Sequence, residues 1–136
     1  MRSLTKMRIY SWKSSNTSPI GRFPSQREVA GGGKAINDDA VTIIAAGGIG
    51  FIKELYEPLF EELLLRAESA GFSIRAIWMA DPVNTGASAV RNQANLGCDP
   101  SWWDHSRDLW AMINYLRREM VQPVMGLGHS MGANQL

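Results

Sequence analysis

Gly128-His129-Ser130-Met131-Gly132 decides how the rest of the 136-residue chain is read. The five residues fit G-x-S-x-G, a sharp turn that lifts a serine from the end of a strand onto the start of a helix. Pro123, Val124, Met125, Gly126 and Leu127 come before it. They form a short apolar run, the pattern of a buried parallel strand. Ala133, Asn134, Gln135 and Leu136 follow and can begin a helix. Gly128 and Gly132 leave room for strand and helix to approach, and the serine backbone is strained in such a turn. Ser130 is then a candidate nucleophile. The N–H of Met131, at a helix start, is a candidate oxyanion donor. An ordinary serine in a Gly-rich turn shares the local pattern; the flanking strand and helix favour the nucleophile.

Working outward, the clearest other strand is Val41–Ala46, apolar throughout and β-branched at its start, as in a strand covered on both faces. It runs into Gly47-Gly48-Ile49-Gly50-Phe51. As a dinucleotide fingerprint this loop fails, because Lys53 stands where Gly48-x-Gly50-x-x-Gly needs its third glycine. As a loop that brings backbone N–H groups to a ligand it is suitable. A helix is expected over about residues 57–70, with Pro58 in its first turn, Gly71 after its end and an apolar stripe of Leu59, Leu63, Ala67 and Ala70. A strand at residues 72–79 stops at Asp81-Pro82, and residues 83–98 read as a polar loop.

Asp99-Pro100 starts a second helix, about residues 102–120, in which Leu109, Met112, Ile113, Leu116 and Met120 recur at helical spacing. Asp104, His105, Arg107 and Asp108 are first-turn charges with a capping role rather than a catalytic cluster. Trp102, Trp103 and Trp110 are expected to pack in the core. Before residue 41, residues 7–12 read as a strand, 14–19 as a turn, and 30–39 as a flexible connection. Gly33-Lys34 is not a phosphate loop: the upstream glycine is missing and Ala35 follows where Ser or Thr is needed.

Strand, helix, strand, helix, strand argues an α/β fold with a mainly parallel sheet and flanking helices. The Val41 strand is expected between the other two, so that the Gly47–Phe51 loop and the serine turn meet beyond the carboxyl ends of the strands.

Composition narrows the function. With 45% hydrophobic and 20% charged residues the chain is globular in type. A net charge of +1 supplies no field to recruit nucleic acid. No apolar run is long enough for a membrane span. Cys98 is the single cysteine, so no internal disulfide forms, which fits a reducing compartment. The two histidines, His105 and His129, offer no metal-type spacing. No metal or cofactor is expected. Residues 1–27 hold six basic side chains and no acid. They read as a basic strand or tail or as an organelle transit peptide, with Pro19 and Pro24 interrupting any amphipathic helix.

Three stretches resemble the α/β-hydrolases: Gly50-Phe51-Ile52-Lys53-Glu54-Leu55-Tyr56-Glu57-Pro58-Leu59, Asp99-Pro100-Ser101-Trp102-Trp103-Asp104-His105-Ser106-Arg107-Asp108-Leu109, and the serine turn. More narrowly they resemble a fungal group that includes hydrolases of host-selective toxin biosynthesis and an acyl-CoA hydrolase of mycophenolic acid biosynthesis. The resemblance covers residues 41–136 as the N-terminal half of such a domain, with 1–40 as a strand or loop region before it. It implies a serine hydrolase of ester or thioester bonds with a mostly apolar acyl substrate, in fungal secondary metabolism and in an intracellular setting, cytoplasmic or peroxisomal. It makes Ser130 the nucleophile within the elbow Gly128, His129 and Gly132. It makes the N–H groups of Met131 and Phe51 the oxyanion hole. Relatives often carry a histidine where Gly47 or Gly48 stands.

In this fold the triad runs serine, acid, histidine along the chain. No acid and no histidine follow Ser130 in these 136 residues. The expectation is therefore an N-terminal half of a hydrolase, inactive alone, the alternative being a non-catalytic truncated remnant. The Val124 strand is expected to be an apolar, uncharged edge through which the chain self-associates.

Overall fold

The computed structural model describes residues 20–24, 38–97, 99 and 101–136. The strand expected at residues 7–12, the turn at 14–19 and the glycines at 31–33 lie outside the described residues. The strands are β1 (Ile20–Pro24), β2 (Val41–Ala46), β3 (Ile74–Ala80) and β4 (Val124–Gly128). A short 3-10 helix, Lys53–Tyr56, leads into α1 (Glu57–Ser69). Then come α2 (Gly86–Asn92), α3 (Asp104–Tyr115) and α4 (Met131–Gln135).

The sheet order is β1-β3-β2-β4. β2 lies between β3 and β4 and is parallel to both, in the expected central place. β1 pairs antiparallel with β3, from Ile20 opposite Ala80 to Pro24 opposite Ala76. The N-terminal region thus supplies a strand to the same sheet. Its sequence, Ile-Gly-Arg-Phe-Pro, hides the strand behind a glycine and a proline, residues tolerated at an edge.

Side chains alternate across the central strands. Ile44, Ala46, Ala76 and Trp78 face one core with Leu109 and Met112 of α3. Ile43, Ala45, Ile77 and Met79 face the other, with Tyr56 and Phe60. Helices therefore cover both faces, which is why β2 and β3 carry apolar residues without alternation.

Three expectations change in detail. The buried stripe of α1 is not centred on Leu59, which is 55% exposed, but on Phe60, which is 1% exposed and flanked by Leu63 and Leu64. The larger ring takes the core site, edge-on to Phe23 at 5.0 Å and stacked on Tyr56 at 5.9 Å. α3 is shorter than expected, ending at Tyr115, although Leu116 and Met120 still reach the core through hydrogen-bonded turns. Trp102, Trp103 and Trp110 are exposed rather than packed in the core. His105, Leu109, Met112 and Leu116 make the inward stripe of α3, and Trp103 and Trp110, seven residues apart, fall on its opposite side.

The polar segment expected as a loop over 83–98 contains α2. Its start is held from outside. The Asp81 carboxylate accepts the Ala87 N–H at 3.3 Å, and the Ser88 hydroxyl donates to the Asp81 carbonyl at 2.8 Å. Gly86, at φ +52°, lies so close that a Cβ there would be 2.7 Å from Asp81 Oδ2. A cap supplied by the end of a strand leaves no local signature.

At the start of α3, Asp104 takes the expected capping role. It accepts the Ser101 N–H at 2.9 Å and pairs with Arg107 at 2.9 Å. His105 differs. It is 4% exposed, neither ring nitrogen has a partner among the described residues, and burial lowers its pKa from 6.5 to about 4. Burial also pushes the Asp108 carboxyl up, with Arg107 opposing and Asp104 reinforcing the change.

The sign of the His105 effect follows from linkage. Its folded pKa lies below its unfolded one, so the unfolded chain takes up the proton first. Stability is full above pH 6.5 and falls as pH drops toward 4, by up to about 3 kcal/mol. Carboxylates titrate there too, so the comparison to make is with His105→Leu. Denaturant melts should show wild type losing stability relative to that variant across this window. A constant difference would mean that His105 is solvated in the fold.

Candidate active site

The turn after β4 has the geometry of a strained nucleophile turn. Ser130 sits at φ 51°, ψ −117°, the only non-glycine residue of positive φ among the described residues. Such a conformation costs about 1–3 kcal/mol and persists only where its surroundings enforce it. Here they do. The His129 N–H donates to the Ala46 carbonyl at 3.0 Å, tying the turn to the end of β2. The Gly132 and Ala133 N–H groups donate back to His129 and Ser130 at 2.9 and 3.1 Å.

Both glycines of the motif are required by contact. A Cβ on Gly128 would fall onto the backbone of Ala133, and one on Gly132 onto the carbonyl of Ala46. α4 can approach the sheet only over bare backbone. Its first residue, Met131, presents an N–H at a position where a helix has no acceptor of its own.

The loop after β2 meets this turn. A Cβ on Gly48 would stand 3.5 Å from the Ser130 Cβ and 3.0 Å from His129 Nδ1. One on Gly47 would be 2.8 Å from the Met79 methyl. Neither position has room for a side chain without rearrangement, so this loop is fixed by other means. The Gly48 carbonyl accepts the Phe51 N–H at 3.1 Å, closing a turn through Gly50 at φ +78°. The Phe51 N–H, expected as an oxyanion donor, thus has a partner within the loop. The Gly48 N–H donates to the Tyr56 hydroxyl at 2.9 Å, and that hydroxyl lies 2.7 Å from His129 Nδ1. His129 therefore faces the loop. No hydrogen-bonded base is placed on Ser130 among the described residues. His105 is buried on the inner face of α3 and meets no described partner.

A second cluster supports the loop. Lys53 is buried, and its ammonium pairs with Asp81 at 3.0 Å and with Glu54. Asp81, buried at the end of β3, also accepts the Lys53 backbone N–H at 2.8 Å. One carboxylate thus anchors the 3-10 helix after the Gly47–Phe51 loop and the start of α2. The sequence marks Asp81 as a strand stop and Lys53 only as the residue that spoils a dinucleotide fingerprint, and gives Tyr56 no role of its own, though Lys53 and Tyr56 lie inside a stretch that carried the resemblance. Among the described residues no group of His, Cys, Asp or Glu could hold a metal ion. No described helix is long and apolar enough to cross a membrane.

Comparison with known proteins places the chain beside hydrolases. No family model matches the chain. It is 52% identical over 99 residues to the type I acyl-CoA thioesterase mpaH' of Penicillium brevicompactum, covering 73% of this chain and 22% of that protein. It is 51% identical over 96 residues to mpaH of Penicillium roqueforti, also named a type I acyl-CoA thioesterase, covering 71% and 22%. The peroxisomal α/β-hydrolase Lpx1 of Saccharomyces cerevisiae superimposes with a TM-score of 0.66 at 25% identity, over 85% of this chain and 31% of that one. The chain spans 22% of the length of these curated relatives. Over the matched part it resembles the α/β-hydrolases in sequence and in fold.

Two substitutions test the packing. Gly132→Ala drives a methyl into a backbone carbonyl, so it should destabilise by at least about 1–3 kcal/mol in urea melts. A wild-type melt would show that α4 does not close on β2 in this way. Asp81→Ala leaves the Lys53 ammonium buried with only Glu54 beside it. The expected loss is about 3 kcal/mol, recovered in large part by Lys53→Met in the same chain. An unrecovered loss would place the role of Asp81 in its backbone contacts instead.

Proposed function

We propose that this chain, a partial α/β-hydrolase fold, carries the nucleophile and oxyanion side of a serine hydrolase that cleaves ester or thioester bonds of the acyl-CoA type. The observation that carries the reading is Ser130 at positive φ between β4 and α4, with the loop after β2 against its Cβ. The names of the fungal relatives support a thioester substrate and a setting in fungal metabolism.

In this reading Ser130 Oγ attacks the acyl carbonyl and forms an acyl-enzyme, which water then hydrolyses. The Met131 N–H donates to the developing oxyanion. The Phe51 N–H is the second donor. It exchanges its 3.1 Å bond to the Gly48 carbonyl for the oxyanion, a charge-assisted acceptor and roughly twice as strong a partner as a neutral one. A serine hydroxyl is a weak nucleophile until a base takes its proton. Within these residues His129 is engaged with Tyr56 and His105 is buried, so neither serves.

The 136-residue polypeptide should therefore show no hydrolysis of a short activated thioester above its Ser130→Ala variant, and no fluorophosphonate labelling. A longer chain that supplies an acid and a histidine should label at Ser130 and lose the label in the alanine variant. Serine-dependent turnover by the 136 residues alone would mean that a base is present after all, and His105 would be replaced first. Met125 and Leu127 of the β4 edge are exposed, so sedimentation should show the isolated polypeptide self-associated. A monodisperse monomer would count against that edge as the contact.

A further inference from the structure

Tyr56 has two attachments that its neighbours do not explain equally. Its ring is buried, stacked on Phe60 at 5.9 Å with 21° between the planes. A phenylalanine would fill that place as well. The hydroxyl is the surplus. It stands between two groups from different parts of the chain, the Gly48 N–H at 2.9 Å and His129 Nδ1 at 2.7 Å.

We propose that Tyr56 is a positioning residue of the serine site: its hydroxyl accepts from the Gly48 N–H and gives its one hydrogen to His129 Nδ1. It thereby holds the loop after β2 against the serine turn. The proposal rests on the reading of Ser130 as nucleophile.

Hydrogen accounting fixes the direction. Gly48 can only donate, so the hydroxyl oxygen accepts there. If His129 also donated from Nδ1, the hydroxyl hydrogen would be left in a buried place with no described acceptor. Donation from Tyr56 to Nδ1 satisfies all three groups and puts the ring proton of His129 on Nε2. Phe51 also meets the His129 ring, edge-on at 5.4 Å and 90°, and lies 6.1 Å from the Tyr56 ring. Gly48 and His129 thus converge on one hydroxyl; Gly48 lies beside the Ser130 Cβ, and His129 packs on Phe51, the proposed second donor.

The bridge does more than add stability. The Met131 N–H is placed by α4, but the Phe51 N–H is placed by a glycine-rich loop whose link to the turn is this hydroxyl. Loosening it spreads the distance between nucleophile and second donor, which acts on the transition state more than on substrate binding.

The test is Tyr56→Phe, read in three ways. In nitrogen-15 spectra, His129 of the wild type should be a single Nε2–H tautomer, and in the variant a mixture. The Gly48 amide should exchange with solvent roughly tenfold faster or more in the variant, since its acceptor is gone. In a longer chain that supplies an acid and a histidine the variant should lose about tenfold in kcat with KM nearly unchanged. Tyr56→Phe combined with His129→Phe should be no slower than the slower single variant, because both cut one link. An Nδ1–H tautomer in the wild type, unchanged Gly48 exchange in the variant, or losses that add in the double variant would each overturn the proposal. Ser130→Ala separates the two claims. Turnover that survives it removes the nucleophile reading, while the tautomer and the Gly48 exchange still decide whether Tyr56 makes this bridge.

Discussion

The carbonyl oxygen of Ala46 is the point on which the site depends. It ends the central strand, accepts the His129 N–H and leaves no space for any side chain at residue 132. The strained serine, the start of α4 and the loop that begins at Gly47 are all measured from it. A backbone that turns so sharply beside another strand end can be built only where both strands are already fixed. The parallel pairing of β2 with β4, in register from Thr42–Val124 to Ala46–Gly128, provides that.

The fold was legible where one segment carried its own explanation. Val41–Ala46 reads as a strand because five of its six residues are apolar and the sixth is the β-branched Thr42, and the structure begins and ends it at those residues. The central position of that strand follows from crossover logic and is observed. What could not be read depends on partners distant in sequence. β1 is recognisable only beside β3. α2 is started by a carboxylate from the end of a strand. Phe60 displaces Leu59 from the core because Tyr56 and Phe23 offer it rings to meet. The exposed tryptophans mark the limit of composition as a guide: three large rings near the start of one helix suggest burial, and the helical phase overrules it.

The site shows the same division. Ser130, Met131 and the two motif glycines can be named from five residues, although the turn is held by the end of β2. The loop is not local. The Phe51 N–H, proposed as a donor, is bonded to the Gly48 carbonyl within that loop, and the Tyr56 hydroxyl that ties the loop to His129 has no signature in the sequence around it. Lys53 and Asp81 form a buried pair whose members lie 28 residues apart, which neither segment announces alone.

The two pairings of β2 differ in the length of chain they must close. With β3 it is joined through α1 alone. With β4 it closes a far longer loop, as the bond from the Thr42 hydroxyl to the Val121 carbonyl, 79 residues on, makes plain. Loop-closure entropy and contact order put such pairings late. The order of assembly then runs β2, α1 and β3 as a nucleus and β4 afterwards. The serine turn, which can hold its dihedrals only against a finished β2, follows the pairing of β4. During synthesis the loop after β2 and the Tyr56 hydroxyl are thus in place before the turn that meets them, and the geometry at Ser130 forms only once β4 has paired.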